Sequence, residues 1–112
     1  MVLDYSQLKL DSNGRPEKPE LMLETMDGRV IGVLPSCVHD LHFNIKFSEP
    51  SEISFVIPCH EHGTSVPLYS DLTGYKLIRT ESLGIYVLSK PVITADGIME
   101  EKQVQGYSIE NA

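Results

Sequence analysis

The stretch Leu41–Pro58, LHFNIKFSEPSEISFVIP, decides the fold. On its first arm Leu41, Phe43, Ile45 and Phe47 alternate with His42, Asn44 and Lys46. On its second, Ile53, Phe55 and Ile57 alternate with Glu52, Ser54 and Val56. A period of two belongs to half-buried strands. Between the arms lies Ser48-Glu49-Pro50-Ser51, where proline pre-sets its own φ and the neighbouring polar side chains can hydrogen-bond locally. The stretch therefore predicts a β-hairpin. Residues that face each other across an antiparallel pair share a face of the sheet, so paired numbers must sum to an even value. The shortest register with Pro50 at the bend pairs Phe47 with Ile53, Ile45 with Phe55 and Phe43 with Ile57. The even face, with His42, Asn44, Lys46 and Ser54, reads as solvent-facing rather than as an intersubunit contact.

Strand signals continue on both sides of this hairpin. LMLETM and RVIGVL flank Asp27-Gly28, a dipeptide that readily supplies positive φ, so 21–34 predicts a second hairpin. YKLIRTE and IYVLSK flank Ser82-Leu83-Gly84 and predict a third. KPVITA, a turn at Asp96-Gly97 and the loosely alternating EEKQVQGYSIE make a last pair. Residues 59–73, CHEHGTSVPLYSDLT, lack a period of two and read as a loop with one turn of helix near Tyr69 to Leu72. Turn signals recur every ~8 to 14 residues and no long amphipathic helix appears. The expected fold is all-β: an antiparallel barrel or sandwich-like barrel of about seven or eight strands with at most one short helical turn. Residues 1–19, which include DSNGRPEKP, form an N-terminal leader and connector. Residues 20–112 form a single β-barrel-like domain.

Composition narrows the function. The chain of 112 residues has 9 basic and 16 acidic residues and a net charge of -7. That balance argues against nucleic acid and against an anionic membrane surface, both of which demand clustered Lys and Arg. No segment approaches the ~20 apolar residues of a membrane span, and MVLDYSQLKL lacks the regions of a secretory signal. These features predict a cytosolic chain or a piece of a longer one, with Cys37 and Cys59 reduced.

Both cysteines and all four histidines fall between Cys37 and His62: Cys37, His39, His42, Cys59, His60 and His62. Zinc takes four convergent thiolate or imidazole ligands, which makes this set the candidate metal centre. If the strands extend that far, parity puts Cys37, His39 and Cys59 on the core face and His42, His60 and His62 on the other. Neither C-x-H-x-x-H nor C-H-x-H matches a common zinc module, so the expectation is no metal and no cofactor. Cys59 and His60 are adjacent on a strand and point apart, which leaves a thiolate without its base. Glu49 with Glu52, and Glu100 with Glu101, lie at a turn and in a charged run, where solvated surface is their expected role. The glycines are dispersed and build no phosphate loop. No catalytic residue is predicted.

Taken in order, PELMLETMDGRVIGVL, HFNIKFSEPSEISFVIP, PLYSDLTGYKLIRTESLGIYVLSKPVI and EEKQVQGYSIE resemble the N-terminal region of siphophage and prophage tail hub proteins. These are also known as phage minor structural proteins, tail-associated lysins or prophage tail endopeptidases. The residues that carry the resemblance are the D-G turn, Ser51 to Pro58, the strand from Tyr75 to Arg79, the strand from Gly84 to Leu88, and Tyr107-Ser108-Ile109-Glu110. The resemblance covers 18–110. It implies a barrel-like domain related to those of baseplate hubs, at the tip of a virion tail and assembled in the bacterial host cytoplasm. It also implies contacts with the distal tail protein and the tape measure, a homotrimer, and any peptidase or lysin module downstream of Ala112. The alternative from another class is a small metal-stabilised binding domain built on the Cys/His set.

Overall fold

A computed structural model of the chain describes residues 2–4, 20–81, 83–95, 97 and 99–109. The strands are β1 (Val2–Asp4), β2 (Met22–Glu24), β3 (Val30–Val33), β4 (His39–Asn44), β5 (Glu52–Pro58), β6 (His60–Glu61), β7 (Thr64–Ser65), β8 (Leu77–Arg79), β9 (Ile85–Leu88), β10 (Val92–Ala95) and β11 (Glu100–Ser108). Eight of them form one antiparallel path, β1-β4-β5-β11-β9-β8-β2-β3, which curls into a half-barrel, and β10 pairs with β11 beside it. The small hairpin β6-β7 stands apart. The fold is all-β, with no helix among the described residues. Where a helical turn was expected, residues 66–72 make successive hydrogen-bonded turns, with Tyr69 N donating to Val66 O and Leu72 N to Tyr69 O. Of the expected leader, Val2–Asp4 pairs with β4; positions 5–19 lie outside the described residues.

The hairpins predicted over 21–34, 75–90 and 90–110 are present as β2-β3, β8-β9 and β10-β11. Each closes through a glycine with positive φ, at Gly28, Gly84 and Gly97, a conformation that costs a residue without Cβ little. The central hairpin is present as β4-β5, in a different register. Phe43 opposes Ile53, Asn44 opposes Glu52 and His42 opposes Ser54. The sums are even, as side-chain parity requires, but the pairing has moved by four residues. Parity restricts a register to alternate solutions without choosing among them. Here the first arm ends at Asn44, Phe47 is 99% exposed in the connection, and Ser51 ties that connection to Lys46 through its hydroxyl.

The core is one cluster on the concave side, with Leu23, Leu41, Phe43, Ile53, Phe55, Ile57, Leu72, Ile78, Tyr86, Leu88 and Val104 nearly inaccessible. The rings of Phe43 and Tyr86 meet at 5.7 Å in a tilted arrangement across the barrel, a favoured aromatic geometry. β11 sits at the centre. Its first half lies between β10 and β5, and its last three residues pair with β9. Lys102, Val104 and Gly106 face inward while Gln103, Gln105 and Tyr107 face out. A Cβ on Gly106 would stand 2.9 Å from Val87 O and 3.1 Å from Ile53 Cγ2, so only glycine allows the strands to close there.

Candidate functional site

The Cys/His set is dispersed by two local devices. The first is a β-bulge between His39 and His42, where Asp40 takes φ 53°. Beyond it His39 opposes Val56, a residue of the outward set of β5. The expectation that His39 lies on the core face with Cys37 and Cys59 is thus corrected, because one extra residue in a strand reverses the facing of everything past it. His39 instead lies among acids, with Nδ1 3.1 Å from Asp40 Oδ2 and Nε2 3.8 Å from Glu101 Oε2.

The second device is the departure of the chain from the sheet after Pro58. His60 and His62 do not share the outward face of β5 with His42, as parity along a continuing strand predicted. They belong to the exposed hairpin β6-β7. His62 and Gly63 both have positive φ, at 52° and 76°, as a two-residue type I′ turn demands. Cys37 and Cys59 are partly buried against the core. Among the described residues no group of three or more His, Cys, Asp or Glu side chains converges on a point able to hold a metal ion.

The structure draws attention to a group the sequence reading passed over. Lys102 faces inward from β11 and is buried. Its Nζ donates to Tyr69 O at 2.7 Å and to Leu72 O at 3.0 Å, and lies 4.5 Å from the centre of the Tyr69 ring. Tyr69 in turn donates its hydroxyl to Glu100 Oε2 at 2.8 Å. Burial holds the lysine below its ordinary pKa, against an upward pull from Glu100, Cys59 and Asp71. Burial, with the bond to Glu100, holds the Tyr69 phenol well above its ordinary value. Among the described residues the ammonium's contacts go to backbone carbonyls and to a ring, so the arrangement anchors the 66–72 turns against the inward side of β11. Leu68, from the same turns, packs where a side chain on Gly32 would lie. A lysine in step with Val104 and Gly106 on the inward side of β11 was the available signal.

The outward face of β4, β5 and β11 carries a groove of about 360 Å³, with His42, Ser54, Val56, Gln103, Gln105 and Lys90 along it. A smaller hollow beside it reaches Asn44, Glu52 and Tyr107. His42 and Ser54 oppose each other directly, and the carboxylate of Asp40 is engaged by His39. Phe55, Val92 and Val104 also line it, so the groove offers apolar surface beside its hydrogen-bonding groups.

Two of the sheet's edge strands form the remaining surface feature. Among the described residues β10 pairs only with β11 and β3 only with β2. Val92 and Ile93 on β10 are each 58% exposed, and Val30 and Val33 on β3 are also exposed. Compared with protein-family models, curated proteins and solved structures, the chain matches none of them.

Proposed function

We propose that this chain is a structural domain of a phage or prophage tail tip, part of a tail hub that acts through protein–protein contacts and carries no chemistry of its own. The observation that carries the reading is an antiparallel half-barrel with apolar residues exposed along strand edges. Such edges are aggregation-prone unless another chain or segment covers them. The order of strands and turns from the D-G turn of 27–28 to Tyr107-Ser108-Ile109-Glu110, similar to tail hub N-termini, supports the same reading. On this account the distal tail protein and the tape measure are its neighbours, a homotrimer is its assembled form, and the virion tail tip is its place.

Co-expression with the distal tail protein and the tape measure of the same phage or prophage tests this. The expected result is a stoichiometric complex that survives size-exclusion chromatography. A folded chain that co-purifies with neither protein would overturn the proposal.

A further inference from the structure

On the outward face of the central strands the ladder pairing builds a trough. Three rungs cross it. Val56 opposes His39 and Gln103, Ser54 opposes His42 and Gln105, and Glu52 opposes Asn44 and Tyr107. The middle rung sets a small side chain, serine, between histidine and glutamine, so the floor is low along β5 and the walls stand on β4 and β11. The groove of about 360 Å³ and the smaller hollow beside it share His42, Ser54 and Gln105, which makes them one continuous depression. From Val56 to Glu52 it runs about 13 Å along β5, at ~3.3 Å per residue. The larger part alone reaches the size of a ligand site, roughly 300 Å³ and upward.

We propose that this trough binds an uncharged oligosaccharide in extended form. The chain as a whole carries a net charge of -7, yet the charges of the trough offset one another. Lys90 stands with Asp40 in the larger part, and Glu52 in the smaller part meets Lys46 at 3.5 Å. Such a lining selects an ion of neither sign. Among the described residues the side chains of Ser54, Gln103 and Gln105 bond to no other group of the chain. Amides and hydroxyls both donate and accept, and sugar hydroxyls do the same. Val92, exposed and opposite Gln103, and Tyr107, 47% exposed at the other end, add apolar surface on which the C–H face of a sugar ring can rest.

An extended peptide is the poorer occupant. Peptides join sheets through main-chain hydrogen bonds at a free edge, whereas the trough lies over β5, which is paired on both sides by β4 and β11. The inference goes beyond the tail-tip reading and does not rest on it.

Titration of the full, isotope-labelled chain with cellohexaose, maltohexaose and N-acetylchitohexaose, followed by amide chemical shifts, tests the site. At least one of the three is expected to bind saturably, with the largest shifts at Ser54, Gln103, Gln105 and Tyr107 and none in β2-β3. Gln105→Ala and Tyr107→Ala, both at exposed positions, are each expected to weaken that binding roughly fivefold, the worth of one neutral contact. Glu61→Ala, in the exposed β6-β7 hairpin, is expected to leave it unchanged. Saturation by none of the three sugars, shifts centred elsewhere, or full-affinity binding by either groove variant would each overturn the proposal. So would a neutral Ser-Gly hexapeptide that moves the same amides as strongly as the sugar, which would mark the trough as a peptide site. If a variant fails to fold, the shift map of the unsubstituted chain decides.

Discussion

The hairpin β4-β5 and the strand β11 make opposite impressions. The hairpin alternates plainly and looks like the organiser of the chain, yet its upper third, from Ile45 to Ser51, lies outside the strands. β11 alternates loosely to the eye, yet it is the longest strand and pairs with β5, β9 and β10. The burial along β11 does alternate, but its inward set is Lys102, Val104 and Gly106. A lysine and a glycine erase the hydrophobic signal while serving the same inward face. Apolar periodicity reports which side chains leave water; it does not report how many strands a segment joins.

This contrast can be broken by substitution and urea unfolding. The largest effect is expected within the hairpin: Phe43→Ala empties a fully buried site against Tyr86 and should destabilise by about 3–5 kcal/mol. Phe47→Ala, four residues away in the connection after that arm and fully solvated, should stay within ~0.5 kcal/mol. Equal losses at the two positions would mean that the register is the one predicted from Pro50 and not the one described.

Gly106→Val comes next, at roughly 2–3 kcal/mol, since the added carbons would press on the backbone of β9 and on Ile53. A neutral result there would remove β11 from its central role. Lys102→Met keeps the length of the side chain but leaves the Tyr69 and Leu72 carbonyls without their donor. A loss of about 1–3 kcal/mol is expected, with faster amide exchange in 69–72 than in β4-β5. Uniform acceleration throughout the chain would show that the anchor and the barrel unfold as one.

The smallest effect is expected with pH. Tyr69 keeps its proton in the folded state above the pH, near 10, at which an ordinary tyrosine loses it. The unfolded chain then binds fewer protons than the folded one, so stability falls as pH rises through about 10. Tyr69→Phe should flatten that decline in urea titrations. Lys102 has the opposite sign. Its folded-state value is lowered, so between that value and the ordinary lysine value of 10.5 the unfolded chain binds more protons and stability rises. Lys102→Met should therefore steepen the alkaline decline. No change of slope in either variant would remove both groups from the buried anchor.

The strand pairs at β2-β3, β8-β9 and β10-β11 were legible because glycine and turn-forming residues at 27–28, 82–84 and 96–97 mark local geometry that needs no distant partner. The β6-β7 hairpin was not, since two-residue arms are too short to show a period, although His62-Gly63 carries the turn. The candidate metal set was legible as a cluster in sequence only. Its dispersal depends on the bulge at Asp40, which no hydrophobic pattern records.

By itself the sequence determined the all-β class, the turns at 27–28, 82–84 and 96–97 and the even parity of the central pair, because each follows from φ preferences and side-chain alternation within a few residues. Tertiary structure alone decided that Phe43 meets Ile53, that His39 turns outward and that Lys102 is buried under the 66–72 turns. Each of these is fixed by what lies on the far side of the residue. β5 must satisfy β11 as well as β4, and an ammonium can be buried only where backbone carbonyls from another part of the chain accept its hydrogen bonds.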